Sequence, residues 1–381
     1  MNFFIYILFC GSTLLLAFLL LVNPQKVNTK GNLWLGMFVF SLFLLTVEEA
    51  LEISHHTINE TLLSFITLAC FVVAPVFFLS VCYFIAPERK WKKTNFLHFG
   101  FAFVMLLSVL LSMIENAPDN DDTSPELKKT ISLVFNLICC TQLFLYVVVS
   151  YRKIVNHRKH IRLYSSSVEN IDLKWLQYIG IGVVLMASVW ALEILLGLSE
   201  TNVLFDTLSN IAYLFGILLI AYHAMKQKEI YPFSDIEKNE ILEIVSEIEM
   251  PVENRKKLVS DDKLEEIKNA LMQLIATEKP YLDCELSLVK LAQQMNLSTH
   301  LLSYTINTGF DENFYQFINR YRIDEAKKMV LDPQMGHLNL VGIAFAVGFN
   351  SKTAFNTAFK KATGQTPSEF KKSTLLPDPV L

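Results

Sequence analysis

The hydrophobic positions of this 381-residue chain form two different patterns. Up to about residue 223, apolar residues form long stretches near the roughly 20 residues that a helix needs to cross a bilayer. Seven such stretches lie at about 3–22, 33–53, 61–86, 96–114, 130–151, 175–198 and 203–223. Farther on, apolar residues recur at intervals of three and four, which indicates amphipathic helices. The pattern predicts an all-α protein: a seven-helix transmembrane domain followed by a polar helical domain.

The composition supports a membrane protein and gives no sign of a metal centre. Hydrophobic residues make up 52% of the chain and charged residues 18%, which is too apolar for an ordinary soluble protein. No Lys or Arg precedes the first stretch, which favours a retained helix over a cleaved signal peptide. The six cysteines form no C-x-x-C pair, so we expect no zinc site, no disulfide framework and no cofactor.

Basic residues alternate between the polar breaks that separate the apolar stretches. The first, third and fifth breaks carry Lys and Arg, the second and sixth carry none, and the fourth is acidic. Because Lys and Arg accumulate on the cytoplasmic side of membranes, the odd breaks are expected to be cytoplasmic. We therefore expect a multi-pass inner-membrane protein, with the lipid bilayer as a partner. Its N-terminus would lie outside, and its C-terminus would lie in the cytoplasm.

Two carboxylates within apolar stretches are candidates for a signal-sensing site. Glu49 lies in the second stretch and Glu193 in the sixth. A carboxylate inside a membrane costs a few kcal/mol on insertion scales, so a functional role is the default hypothesis. Solvation at the membrane surface is the alternative. The sequence does not identify the signal, whether a small molecule or another envelope stimulus.

The segment 224–277 is charged and carries two apolar stripes, Ile241 to Ile248 and Leu264 to Leu274. Each stripe is shorter than the three or four heptads of an independent coiled coil. Two interpretations stay open. The stripes pair two copies of the chain into a homodimer, or they pack against a neighbouring domain of the same chain.

Two helix-turn-helix patterns follow. The first, LSLVKLAQQMNLSTHLLSYTIN, predicts a turn at 296–298 with Ser298 capping the next helix. That helix is expected to bury Leu301, Leu302 and Ile306. It is expected to expose Thr299, His300, Ser303 and Tyr304. These four residues are the candidate DNA contacts of the first unit.

The second pattern, GFNSKTAFNTAFKKATGQTPSEF, turns at Gly348 and predicts a helix that buries Phe355 and Phe359. Its candidate DNA contacts are the polar and basic positions Lys352, Thr353, Asn356, Thr357, Lys360 and Lys361. A long helix joins the two units, as recognition of two successive major-groove turns about 34 Å apart requires.

Residues 278–372 resemble the AraC/XylS family of bacterial transcription regulators. The resemblance lies in three segments: LSLVKLAQQMNLSTHLLS, NF-x2-FIN-x-YRI-x2-A, and I-A-x3-GF-x-S-x3-F-x3-FK-x3-G-x-TP-x2-F. It implies that His300, Ser303 and Tyr304 in the first unit, and Lys352, Thr353, Asn356 and Thr357 in the second, contact bases. Many members carry Arg where this chain has Thr357, so one strong guanidinium contact is absent. With its polytopic half, the chain resembles the membrane-anchored branch of the family.

The charge of the C-terminal segment favours double-stranded DNA as a partner. From 313 to 372 there are nine Lys or Arg and four Asp or Glu, so nine minus four leaves a net charge of +5. We therefore expect four regions: a transmembrane sensor domain (1–223), a helical linker (224–277), a tandem helix-turn-helix domain (278–372) and a flexible tail (373–381).

The sequence thus predicts a membrane-bound one-component transcriptional regulator that is not an enzyme. One alternative is a transporter or channel-like protein with a regulatory DNA-binding appendage, which would need an internal repeat or several convergent polar groups in the membrane. A sensor enzyme is the other. The C-terminal half has no phosphate-binding glycine loop and no acidic cluster for Mg²⁺ to support it.

Overall fold

The computed structural model describes residues 2–53, 60–87, 89–114, 124–168, 171–196, 203–226 and 257–375. Within these ranges the chain is helical and has no strand beyond an isolated bridge between Ser165 and Ser287. It divides into two compact units: Met1–Asn156 with Leu173–Ile230, and His157–Asp172 with Tyr231–Leu381. The predicted all-α class is confirmed.

Helices occupy all seven predicted apolar stretches. They are α1 (Asn2–Val22), α2 (Thr29–Ile53), α3 (Glu60–Thr67), α4 (Ala69–Ile85), α5 (Gly100–Ile114), α6 (Pro125–Tyr164), α7 (Lys174–Leu196) and α8 (Val203–Lys226). The third stretch is divided between α3 and α4, and a 3₁₀ turn, Lys93–Phe99, precedes α5. By length and composition, four described segments could cross a membrane: Thr29–Val47, Leu62–Ile85, Lys93–Leu111 and Leu133–Tyr164. The count of seven spans stays a prediction.

Within the first unit, α2 packs against α1 and α4, whereas α5 presents apolar side chains outward. On α5, Phe103 is 66% exposed and Val104 62% exposed. Large exposed apolar side chains of this kind are typical of a surface that contacts another protein or a membrane.

Several predicted features lie outside the described residues. Glu49 and Glu193 belong to α2 and α7, but their side chains are not among those described. The first apolar stripe, 241–248, the core of the acidic break at 115–123 and the last residues, 376–381, also lie outside the described ranges.

Helix α6 continues well into the fifth polar break and does not end near residue 151. Its last turns, and the residues that follow them, belong to the second unit as the segment His157–Asp172. Within this segment, His157 Nε2 lies 2.9 Å from the carbonyl oxygen of Ile171, and Arg158 forms an ion pair with Asp172 at 3.8 Å. The described residues of this segment, 157–168, 171 and 172, therefore belong to the unit that contains the helix-turn-helix patterns.

The rest of the second compact unit is a set of mostly short helices arranged around two hydrophobic cores. They are α9 (Asp261–Glu278), α10 (Leu288–Gln294), α11 (Thr299–Phe310), α12 (Phe314–Leu331), α13 (Leu340–Ala346), α14 (Lys352–Thr363) and α15 (Pro367–Leu375). The first core combines α9, α10, α11 and the first half of α12 with Ile161 and Tyr164 from the end of α6. The second combines the remainder of α12 with α13 and α14.

The second apolar stripe of the predicted linker lies on α9 and contributes to the first core. Ile267 and Leu271 are buried, and Leu274 packs against that core. Of the two interpretations left open by the sequence, packing on the neighbouring domain holds for this stripe. The first stripe is outside the described residues.

Candidate nucleic-acid interface

The first helix-turn-helix unit is built from local backbone and capping interactions. The Ser287 hydroxyl accepts a hydrogen bond from the backbone N–H of Lys290 and caps α10. After α10, Asn296 adopts a left-handed conformation with φ 52°, and the N–H of Leu297 donates to the carbonyl of Ala292 at 3.0 Å. The Ser298 hydroxyl then caps α11 by accepting from the N–H of Leu301 at 3.2 Å. The predicted turn and its serine cap are confirmed.

The second unit repeats this geometry. Asn339 caps α13, and Gly348 takes the left-handed position with φ 92°. The N–H of Phe349 closes the turn by donating to the carbonyl of Ala344 at 2.9 Å. Ser351 then caps α14. The two units therefore share one order of elements: cap, short helix, left-handed residue, closing bond, cap and second helix.

Gly348 is required by space as well as by conformation. A Cβ atom at this position would lie 2.5 Å from the carbonyl oxygen of Tyr281 and 2.9 Å from that of Leu282. It would also lie 3.0 Å from Nε of Arg322. The close approach packs the second turn against the 3₁₀ turn Pro280–Leu282, so any larger residue must displace backbone.

Helix α12 joins the two units and begins with a reciprocal capping box. Asn313 Oδ1 accepts from the N–H of Gln316, and Gln316 Oε1 accepts from the N–H of Asn313, both at 3.0 Å. The 18 residues of α12 span about 27 Å at 1.5 Å per residue. This length is of the same order as one turn of B-DNA, about 34 Å.

The second recognition helix, α14, has the predicted two-sided character. Phe355 and Phe359 are fully buried. The candidate contacts Lys352, Thr353, Thr357, Lys360 and Lys361 are exposed, and Asn356 is half-buried. An open groove of about 650 Å³ runs beside this face and is lined in part by Lys352, Asn356, Lys371 and Lys372. The sequence pattern did not single out Lys371 and Lys372 as candidate contacts, although the doublet after PSEF was visible.

The first recognition helix, α11, differs from the prediction. Leu302 and Ile306 are buried as expected, but Leu301 is only half-buried. Thr299 and Ser303 are each only 4% exposed, so the prediction that they face outward is wrong for this structure. Both carry short hydroxyl side chains that reach little beyond the helix surface, and the Ser303 hydroxyl accepts from Nδ2 of Asn307.

His300 and Tyr304 are half-buried and are the two predicted contacts of α11 that keep accessible surface. The first unit therefore presents fewer polar contacts than its sequence indicates.

Several of the positively charged residues counted from the sequence are paired with carboxylates or buried. Arg320 bonds to both carboxylate oxygens of Glu312, and Arg322 is buried at 1% exposure. Lys327 and Lys328 pair with Asp324 and Glu325. Between 313 and 372, all of which the structure describes, the remaining five lysines form no ion pair: Lys352, Lys360, Lys361, Lys371 and Lys372. The available positive charge is therefore concentrated on α14 and α15.

The TPSEF motif has a structural role at the start of α15. The N–H of Thr366 donates to Glu369 Oε2 at 2.7 Å, and the N–H of Glu369 donates back to the Thr366 hydroxyl at 3.3 Å. The hydrogen bond from the Thr366 backbone holds the pKa of Glu369 below its ordinary value. Glu369 therefore caps a helix, close to the lysine-rich surface.

Comparison with known proteins identifies the same region. A protein-family model described as a helix-turn-helix domain matches residues 291–373. The C-terminal part of the chain thus carries a helix-turn-helix domain of the AraC type. No curated protein matches the chain.

Two solved structures are similar to this region. The C-terminal domain of the two-component response regulator yesN from Fusobacterium nucleatum subsp. nucleatum is 28% identical over 28% of this chain and 98% of its own, with a TM-score of 0.25. The C-terminal domain of AraT, a response regulator from Geobacillus stearothermophilus, is 24% identical over 31% of this chain and 88% of its own, also with a TM-score of 0.25.

Proposed function

We propose that this chain is a membrane-bound one-component transcriptional regulator that binds specific DNA sequences under the control of a signal received by its membrane half. The helix-turn-helix domain supports a role in DNA-binding transcription regulation and favours a regulator over an enzyme. The observation that carries the proposal is the presence of two complete helix-turn-helix units, each closed by the same turn and joined by α12.

The second unit supplies most of the recognition chemistry. Lys352 can donate to guanine O6 and N7, and the Asn356 amide can bond the adenine edge through both its donor and its acceptor. The methyl groups of Thr353 and Thr357 can contact thymine methyl groups. The lysines on α14 and α15 would bind phosphates and make the affinity dependent on salt.

In the first helix-turn-helix unit, His300 and Tyr304 are the predicted contacts that keep accessible surface. We infer that α11 contributes fewer base contacts than α14. It would set the position of the second unit along the groove through contacts with the backbone of the DNA.

The membrane assignment rests on the helices and on charge. All seven apolar stretches are helical, and α5 exposes large apolar side chains. The alternation of basic breaks predicts a multi-pass inner-membrane protein with its N-terminus outside and its DNA-binding domain in the cytoplasm. Glu49 and Glu193 remain the proposed positions for sensing an envelope or small-molecule signal.

Selection of DNA by the intact protein tests this function. The full chain, purified in a mild detergent, would be incubated with a library of random duplexes, and the bound sequences would be enriched and read. We expect a motif of two half-sites whose centres lie about 10–10.5 base pairs apart. The double variant Lys352→Ala with Asn356→Ala should lose its preference in one half-site and keep it in the other. Enrichment no greater than for random DNA would refute the proposal.

A further inference from the structure

The described residues of the segment His157–Asp172 (157–168, 171 and 172), here called the docked segment, bind the helix-turn-helix domain within the second compact unit. Ser166 lies at its centre and is only 1% exposed. The backbone N–H and the hydroxyl of Ser166 both donate to the carbonyl of Leu286, at 3.3 and 2.6 Å. The carbonyl of Ser166 accepts from Arg322 Nη1 at 3.1 Å and from Asn319 Nδ2 at 3.3 Å. Every polar group of this residue is therefore used for docking.

The docked segment contacts three separate parts of the domain. It reaches the start of the first helix-turn-helix unit, where Ser165 forms a β-bridge with Ser287. It reaches α12, where Arg162 lies 5.6 Å from the ring centroid of Tyr315. It also reaches the turn of the second helix-turn-helix unit, where Nδ2 of Asn350 donates to the Ser167 hydroxyl at 2.6 Å.

The guanidinium of Arg322 is the centre of this junction. Its Nε donates to the carbonyl of Tyr281 at 2.7 Å, and its Nη2 donates to the carbonyl of Asp283 at 2.8 Å and to the Ser166 hydroxyl at 3.0 Å. Burial lowers the pKa of Arg322 to about 10, so the group is still charged at neutral pH. A buried cation is tolerated only when its donors are satisfied, and Ser166 supplies two of those acceptors.

This junction lies between the two hydrophobic cores. On α12, the buried residues of the first core end at Ile318, with Tyr321 packed against them, and those of the second core begin at Ile323. The two cores share no buried side chain, so the angle between the helix-turn-helix units depends on α12, on the packing of the Gly348 turn against Pro280–Leu282 and on the polar contacts around Arg322. The docked segment contributes to those contacts from both sides, through Leu286 and through Asn350.

We propose that the docked segment is a positioning element for DNA recognition, in which Ser166 and Ser167 fix the angle between the two helix-turn-helix units. The inference rests on the function proposed above. A tandem reader binds tightly when both recognition helices are already held at the spacing of their half-sites, because the second contact is then intramolecular. Helix α6 ends at Tyr164, so Ser166 follows two residues after its last turn.

The test compares two duplexes that bind the intact protein. The first is a duplex enriched from the random library by the wild-type chain, and the second is the same duplex with one half-site scrambled. Ser166→Leu removes the hydroxyl and overfills its buried position, so it should weaken binding to the two-site duplex by about tenfold or more. Binding to the one-site duplex should change by less than about twofold, because each unit keeps its own core. Ser188→Leu is the matched control, since Ser188 is exposed on α7 and its hydroxyl bonds only within that helix.

A second variant covers the case in which Ser166→Leu fails to fold. Ser167→Ala removes the bond to Asn350 and leaves Ser166 in place. Loss of one neutral hydrogen bond should weaken two-site binding by about threefold. Asn350→Ala should have the same effect, and the two substitutions together should be no worse than either alone.

The outcomes separate this inference from the proposed function. Equal losses on both duplexes, or no loss on the two-site duplex, would overturn the positioning role while DNA binding stands. Additive losses for Ser167→Ala and Asn350→Ala would also overturn it. If the wild-type chain enriches no duplex at all, the proposed function fails and this inference fails with it.

Discussion

Replacing Gly348 by alanine should open the second helix-turn-helix unit, and Gly364 provides a matched control. Both glycines have positive φ, 92° and 78°, so alanine at either position carries the strain of a left-handed residue, about 1–2 kcal/mol. At Gly364 a Cβ atom would have no neighbour within 4 Å, so strain is the whole cost. At Gly348 the Cβ would lie 2.5 Å from the Tyr281 carbonyl oxygen, which must move.

Movement of that carbonyl has a further cost, because it accepts the bond from Nε of buried Arg322. A hydrogen bond to a charged group contributes about 1.5–3 kcal/mol, so Gly348→Ala should lose about 2.5–5 kcal/mol in all. Gly364→Ala should lose only the strain of about 1–2 kcal/mol. The difference between the two variants isolates the clash at the Tyr281 carbonyl.

Hydrogen exchange of the full chain in detergent measures both changes. Amides in α13 and α14 should exchange roughly a hundredfold faster or more in Gly348→Ala, and roughly five- to thirtyfold faster in Gly364→Ala. In Gly348→Ala, the affinity for the two-site duplex should fall together with the protection of these amides from exchange. If Gly348→Ala loses no more protection than Gly364→Ala, the close approach of the second turn to Tyr281 is not a feature of the folded protein.

Three further predictions concern the DNA surface and the membrane half. Lys352→Ala and Asn356→Ala should each reduce discrimination between bases at single positions by about 1–3 kcal/mol. Lys361→Ala should weaken binding to all sequences alike and should reduce the slope of log affinity against log salt concentration by about one. Binding assays over a salt series distinguish a lost base contact from a lost phosphate contact. Alkaline phosphatase fused within 119–122 should be active and the same enzyme fused after residue 230 inactive, and the reverse pattern would contradict a cytoplasmic DNA-binding domain. Glu49→Gln and Glu193→Gln should alter promoter output without altering membrane insertion, and unchanged output in both would remove these carboxylates from signal sensing.

The local pattern of the sequence was sufficient for the helix-turn-helix units themselves. The left-handed Gly348, the Ser298 cap and the buried pair Phe355 and Phe359 depend on neighbours within a few residues, and such neighbours are visible in sequence. The predicted exposure on α11 was wrong for Thr299 and Ser303, because a polar residue type does not show whether a short side chain reaches solvent.

Long-range contacts could not be predicted at all. Arg322 was counted among the surface charges, yet it is buried and bonded to Ser166, which is 156 residues away in sequence. The basic segment after residue 151 was taken as a polar break, yet Ile161 and Tyr164 are buried in the first core and Ser166 is bonded to α12, and neither contact follows from the sequence pattern. The concentration of unpaired lysines on α14 and α15 could be recognised only from the structure, because it shows that Lys327 and Lys328 of α12 are held in ion pairs.

Recovery of DNA bound to the intact protein in cells tests the central claim most directly. The chain would be crosslinked to DNA in living cells and the membrane fraction isolated, and the attached DNA would then be sequenced. The account predicts that DNA recovered with the membrane fraction is enriched in sites with two half-sites about 10–10.5 base pairs apart. It also predicts that the Lys352→Ala, Asn356→Ala double variant loses this enrichment while remaining in the membrane. DNA recovered without sequence enrichment, or equally well by the double variant, would contradict it.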